Sequence, residues 1–374
     1  MNIAFLDSWI QSNAEGSGTA VSINGLEQAL ELRGHQVTRI APLKRWPRNL
    51  TLRRLLFNAQ LPMLLRRVHY DLIVGFDIDG FLWSLQERTT PYVVFVKGVI
   101  AEELQHEHGL TRLLFQMLAH LEGHNARRAD LVLTDSMYGR DAIAKHYGVT
   151  HERLGVLPIG TDLAYWQRAS EREPRTTDGF TILCVARQYP RKHIADLIRA
   201  VPIIQHSIPQ VRVVLVGDGP EHAALRRLTA ALQLHKAVHF AGAISDDALA
   251  QAYRHADIFC LPSVQENFGV VFIEAMANRL PIVATTAAAI PEVVPDRVVG
   301  YLVPPGNIEA LAQVLVILLR SPNQRYIFGE NSYQHVQRFN WPQIADMFLE
   351  QVTPLLHKDY HSKSEGDCLP TFEV

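Results

Sequence analysis

Hydrophobic positions along the first half of the chain gather in short runs separated by longer mixed stretches. The runs Asn2–Leu6, Gln36–Ile40, Asp71–Gly75, Tyr92–Val96, Asp130–Thr134 and Gly155–Leu157 read as strands, being short, apolar and bounded by turn residues. Helix-length segments fall between most of them, notably Thr19–Arg33, Thr111–Arg128 and Met137–Tyr147. The polar stretch RASEREPRTTD (168–178) then interrupts the pattern and reads as a linker. Alternation restarts with strands at Phe180–Ala186, Val211–Val216, Val238–Ala241, Asp257–Leu261 and Pro281–Ala284, and closes with helices at Ile308–Leu319, Gln324–Arg338 and Pro342–Leu356. From Lys358 the tail is polar and broken by Gly and Pro, and is expected to be disordered.

Strand–helix alternation predicts an α/β fold with parallel sheets covered by helices on both faces. Because the alternation occurs twice, two doubly wound domains are expected: residues 1–167 and 168–340, with a last helix at 341–357 returning to the first. Ligands of open α/β sheets bind outside the carboxyl ends of the strands, so a cleft between two such sheets is the place to look for chemistry.

Composition narrows the picture modestly. A chain of 374 residues with 48% hydrophobic and 20% charged residues suits a two-domain globular protein. The net charge of -2 gives no electrostatic case for nucleic acid. Cys184 and Cys260 lie in apolar runs as small hydrophobes, which points to the cytoplasm. MNIAFLD reads as a strand, since Asp7 comes too early for the apolar core of a signal peptide, and no apolar stretch is long enough to span a bilayer.

The densest chemical signal is SVQENFGVVFIEAMANRLPIVAT (263–285). A strand ends at Leu261, a loop carries Glu266 and Asn267, and Gly269 opens a helix whose free amides attract anions. Glu274 follows a turn and a half into that helix, so the two carboxylates can approach different parts of one ligand and accept from sugar and ribose hydroxyls. Upstream, Arg187 and Lys192 flank the start of a helix just after a strand. The helix dipole disfavours cations there, and a diphosphate counter-anion would account for both. Taken alone, the carboxylates also fit a helix cap and a solvated side chain, and the cations an exposed pair.

The spacing Glu266-x7-Glu274, with NFG after the first and AMA after the second, resembles family 4 glycosyltransferases (glycosyl transferases group 1) of the GT-B fold. VLPIGTD (156–162), VGDGPE (216–221), the segment 238–263, GYLVPPGN (300–307) and the early loop EGSGTA (15–20) resemble the same family, which the chain follows over about residues 1–355. The resemblance implies a retaining hexosyl transfer from a nucleoside-diphosphate sugar to an acceptor. Arg187 and Lys192 would stabilise the diphosphate leaving group. Glu266 would hold the transferred sugar and Glu274 the ribose. The amides around Asn267, Phe268 and Gly269 would face sugar or phosphate, and Gly16 and Gly18 would let the first domain's backbone approach the phosphates. The family mechanism is drawn as front-face attack, with neither cofactor nor metal required, and the sequence shows no D-x-D pair with a metal role in its second half.

Two positions depart from the family pattern. Arg279 stands where a Gly usually follows AMA, and Lys97 where many relatives carry a sugar-facing His. Lys97 is expected to meet sugar, phosphate or an anionic acceptor, or to be an exposed strand-end lysine. Asp77 and Asp79 follow a strand end and are candidates to face the acceptor, or to cap a helix. GDGPEH (217–222) lacks the third glycine of a dinucleotide turn, and His120 and His124 in HLEGH are not in the metalloprotease order. Residues 43–69 hold seven Lys or Arg, no Asp or Glu, and many leucines. They could lie on an anionic membrane surface, placing the protein peripherally on the inner face, or form a helix packed on the sheet. Lipid-linked, polysaccharide and small-molecule acceptors all stay open. The rival readings are a sugar-nucleotide epimerase or hydrolase on the same fold, and a catalytically silent nucleotide-sugar-binding partner.

Overall fold

The computed structural model describes residues 1–9, 18–42, 49–106, 108–170 and 179–357. Gly16, part of the basic segment (43–48), most of the 168–178 stretch and the tail from Lys358 lie outside the described residues. In the first half, strands β1 (Asn2–Leu6), β2 (Gln36–Ile40), β3 (Leu72–Phe76), β4 (Tyr92–Val96), β5 (Leu131–Thr134) and β6 (Leu154–Val156) form one parallel sheet in the order β2-β1-β3-β4-β5-β6. Helices α1 (Gly18–Glu31), α2 (Leu50–Leu64), α3 (Ile100–Glu103), α4 (Gly109–Arg128) and α5 (Met137–Tyr147) cover it.

In the second half, β7 (Phe180–Val185), β8 (Val211–Val216), β9 (Val238–Gly242), β10 (Ile258–Leu261), β11 (Ile282–Thr285) and β12 (Gly300–Val303) form a second parallel sheet, ordered β12-β11-β10-β7-β8-β9. Its helices are α6 (Leu163–Ser170), α7 (Ile194–Ser207), α8 (His222–Ala231), α9 (Asp246–His255), α10 (Val270–Ala277), α11 (Ile290–Val293), α12 (Ile308–Arg320) and α13 (Pro322–Val336). The final helix α14 (Trp341–Leu356) inserts Ile344, Phe348, Val352 and Leu355 into the core of the first sheet, beside Ile23, Leu26 and Leu30 of α1.

Inner strands such as β3, β4, β10 and β11 are buried on two faces, which is why they read as continuous apolar runs without alternation. The chain changes sheets earlier than the polar stretch at 168–178 suggests. Leu157 packs in the first core, whereas Ile159 and Trp166 already belong to the second. Strand β12 is an addition to the elements read from the sequence. Its four residues, from Gly300 up to a Pro pair, offered little pattern, yet they pair in register with β11. Cys184 and Cys260 are buried and unpaired, and burial pushes the Cys184 thiol up to about 12.

The order of the second sheet reverses between β7 and β10, and a reversal of this kind leaves a crevice at the carboxyl ends of the two strands. The loops that follow β7 and β10 carry Arg187, Lys192, Glu266 and Asn267. In the first sheet the reversal lies between β1 and β3.

Candidate active site

A cavity of about 620 Å³ lies between the carboxyl ends of the two sheets. Gly18, Lys97 and Asp77 line it from the first half; Arg187, Lys192, Glu266, Asn267, Phe268 and Gly269 line it from the second. Residues from five separate stretches of sequence thus meet at one place.

Helix ends set its electrostatics. Helix α10 is entered through Gly269 at φ +86°, a left-handed conformation that only glycine adopts without strain. Helix α1 begins at Gly18, where an added Cβ would stand 3.3 Å from Val270 Cγ2, so the two helix N-termini face one another closely. Each carries the partial positive charge of a helix N-terminus, and together they make an anion site. Arg187 lies exposed beside it, its guanidinium 5.5 Å from the Tyr189 ring.

The loops after β7 and β10 are tied to each other. Val264 N and Ser263 Oγ both donate to the Arg191 carbonyl, at 2.9 and 3.0 Å. This holds Lys192 against Glu266, with Nζ donating to Oε1 at 2.6 Å. Phosphate and Glu266 would therefore compete for one ammonium. Beside them the buried Gln265 Oε1 has no hydrogen-bond partner among the described residues. It lines the same cavity and was not singled out in the sequence, although it directly precedes Glu266. Phe268 sends its ring into the core, edge-on to Phe339 at 5.5 Å. Its contribution to the cavity is therefore backbone.

Glu274 lies outside the cavity lining, one turn further along α10. It accepts from Tyr253 Oη at 2.8 Å, and desolvation pushes its carboxyl up to about 7, with Asp246 adding to the rise.

Lys97 is neither exposed nor at liberty. Its Nζ donates to Ser22 Oγ at 2.5 Å and Asp135 Oδ1 at 3.0 Å, and sits over the Phe95 ring. Burial pulls the ammonium below its usual range, while Asp135 opposes that pull. Burial likewise raises Asp135 to about 6.

Asp77, at φ +55°, accepts from Lys97 N (2.8 Å), Trp9 Nε1 (3.0 Å) and Arg54 Nη2 (3.3 Å) while still touching the cavity. Asp79 is wholly buried, accepts from Ser8 N, Ser8 Oγ and Asn58 Nδ2, and lies outside the cavity lining. Desolvation raises it to about 7. Arg54 is equally buried between Asp77 and Asp79, which removes one cation from the surface charge of residues 43–69.

Contacts between the two halves complete the site. Asn267 Nδ2 donates to the Lys97 carbonyl at 3.2 Å and to Thr134 Oγ1 at 3.4 Å. Glu292 on α11 accepts from Met137 N and Tyr138 N, both at 2.7 Å, and so caps α5 from the opposite half. Among the described residues no group of three or more His, Cys, Asp or Glu side chains is arranged to hold a metal ion, and no helix is long and apolar enough to cross a membrane.

Two facing Rossmann-like sheets with a helix-capped cleft between their carboxyl ends define the GT-B class of glycosyltransferase architecture. Residues 16–165 match Glycosyltransferase Family 4 and residues 167–335 match Glycosyl transferases group 1, and the chain belongs to this family. The chain is 33% identical over 222 residues to MMP alpha-(1->4)-mannosyltransferase of Mycolicibacterium hassiacum, covering 59% of this chain and 53% of that protein. It is 34% identical over 213 residues to the phosphatidyl-myo-inositol mannosyltransferase of Mycobacterium leprae, covering 56% and 53%. The matches span about half the length of these curated relatives. Among solved structures, sucrose-phosphate synthase from Thermosynechococcus elongatus superposes with TM-score 0.78 at 25% identity, covering 95% of this chain and 98% of that one. HepE of Anabaena, solved with UDP, gives 0.72 at 22%, covering 95% and 100%.

Proposed function

We propose that this chain transfers a hexose from a nucleoside-diphosphate sugar to an acceptor hydroxyl, with retention of anomeric configuration. The observation that carries the reading is the pair of helix N-termini, α1 and α10, meeting beside Arg187 and Lys192 at the sheet reversal. A diphosphate placed there is neutralised by two dipoles and two cations, which is what a leaving group needs as the glycosidic bond breaks. That charge supply is also why the reading invokes no metal. The names of the relatives, mannosyltransferases and a sucrose-phosphate synthase, and the UDP in HepE support the donor class.

In the proposed reaction Glu266 orients the sugar hydroxyls and the amides of Asn267, Phe268 and Gly269 face sugar or phosphate. Gly18, with Gly16 ahead of it, admits the phosphates close to the backbone, and Glu274 with Tyr253 receives the ribose hydroxyls. The acceptor oxygen bonds to the anomeric carbon on the face from which the diphosphate departs, and a diphosphate oxygen takes the acceptor's proton. Asp77 and Lys97 border the acceptor side, and their charges are largely met by Arg54 and Asp135. In 49–69 the exposed Arg66 and the half-buried Arg53 support contact with an anionic membrane surface.

Calorimetry against UDP-, GDP- and ADP-sugars, with product NMR and Glu274→Ala alongside, tests the reading. Selective binding that the variant loses, together with retained configuration in the product, is expected. Absence of binding across the panel would refute it.

A further inference from the structure

Helix α4 carries a second apolar face. Its buried face presents Phe115, Leu118, Ala119, Glu122 and Ala126 to the first sheet and α3. Roughly 130° around the helix, at the i, i+3, i+4, i+7 spacing of one stripe, lie Leu110, Leu113, Leu114 and Met117, respectively 86%, 64%, 37% and 43% exposed. Core packing does not account for four large apolar side chains left in water on one line. Contiguous exposed apolar surface of this kind marks a binding site.

The stripe is continuous with the cavity. Leu114 belongs to both, and Phe115 and Leu118 line the cavity together with Val99 and Ile100. From Leu118 to Leu110 the helix runs about 12 Å outward. On the other side of the same mouth, Leu50 and Thr51 line the cavity, and Leu52 and Leu56 of α2 are exposed beyond it. No Asp or Glu interrupts α4 between Leu110 and Leu121. A fully hydrophilic acceptor would gain nothing from such a mouth, whereas an amphiphile can place its hydroxyl at the donor and its hydrocarbon along the stripe.

We infer that the acceptor is amphiphilic and that its hydrocarbon chain lies on the Leu110–Leu113–Leu114–Met117 face of α4. This rests on the glycosyl transfer proposed above and specifies its second substrate.

The test uses n-dodecyl β-D-maltoside bearing a terminal diazirine, below its micelle-forming concentration, on the full chain. Photolabelling followed by peptide mapping should concentrate in 109–121. Unlabelled dodecyl maltoside should compete, and maltose should not. In Leu113→Gln/Met117→Gln labelling should fall about tenfold, since two apolar contacts are lost. Calorimetric affinity for the nucleotide sugar should stay within about twofold, which reports that the variant is folded. Competition by maltose, label scattered over the chain, or equal labelling of the variant would overturn the inference. Labelling only once micelles form would assign the face to bilayer contact instead, and also overturn it. Failure of the wild type to bind any nucleotide sugar would count against the transfer reading, independently of where the label goes.

Discussion

At the scale of single residues, Glu274 makes the sharpest forecast. Its carboxyl lies near 7 rather than 4.5 because it is desolvated, so in the free protein the ionised form is the disfavoured one, and this residue's share of stability declines as pH rises from 4.5 through about 7. Hydroxyls of a ribose donate, and so favour the ionised form. Affinity for the nucleotide sugar should therefore increase from pH 6 to 8, by up to about tenfold per unit below the transition. In Glu274→Gln the pH dependence should vanish while affinity stays at the low-pH level. A pH-independent Kd in the wild type, measured by calorimetry, would rule the ribose role out. Arg187, Lys192 and Glu266 were legible in the sequence as residues following strand ends, and the cavity gathers them; Glu274, inside α10, stays outside its lining. The sequence could not reveal which partners neutralise Lys97, Asp77 and Asp79. Those are Ser22, Asp135, Arg54, Ser8 and Asn58, brought together only by the order of the strands.

At the scale of elements, α10 shows how a departure from a family pattern is absorbed. Arg279, just past its end, adopts φ +55°, the left-handed region in which the usual glycine is at ease. Its guanidinium is clasped by Glu330 at 2.6 Å and lies 3.9 Å from the Tyr333 ring centre. Removing the strain should return about 1 kcal/mol, and losing an exposed ion pair with a cation–π contact should cost a similar amount. Arg279→Gly is therefore expected within about 1 kcal/mol of the wild type in urea unfolding, with donor affinity unchanged. Arg279→Val, which is β-branched and has no clasp, should lose more than about 1 kcal/mol. A large loss on going to Gly would mean that the clasp outweighs the strain. Most strands were legible to within a residue, since parallel strands buried on both faces give unbroken apolar runs. β12 was not, because its pairing with β11 supplies what four residues of pattern do not.

At the scale of the molecule, α14 ties the two halves together at one end, and across the cleft Glu292 caps α5. Asn267 on the ends of β4 and β5, and Arg191 facing Glu103 at 3.6 Å, add to it across the same cleft. A carboxylate on an exposed helix N-terminus contributes about 0.3–1 kcal/mol, enough to bias two arrangements of similar energy without affecting either core. Glu292→Ala should thus enlarge the radius of gyration in small-angle scattering and weaken nucleotide-sugar binding about two- to fivefold, with Tm almost unchanged. Identical scattering profiles would show that the cap does not govern closure. None of this was visible in the sequence, where Glu292 and Met137 are remote from each other and neither stands in a recognisable motif.

The meeting of α1 and α10 has a consequence for the rhythm of the reaction. Two positive helix ends face to face repel less once an anion sits between them, so in the proposed reaction the nucleotide would itself fasten the cleft. Once the sugar has gone, the spent nucleotide bares another phosphate oxygen and carries more negative charge than the donor did. The fastening then tightens at the moment it should slacken. In the proposed reaction the slow step would accordingly be the departure of the nucleoside diphosphate, and the glycosylated acceptor would leave first.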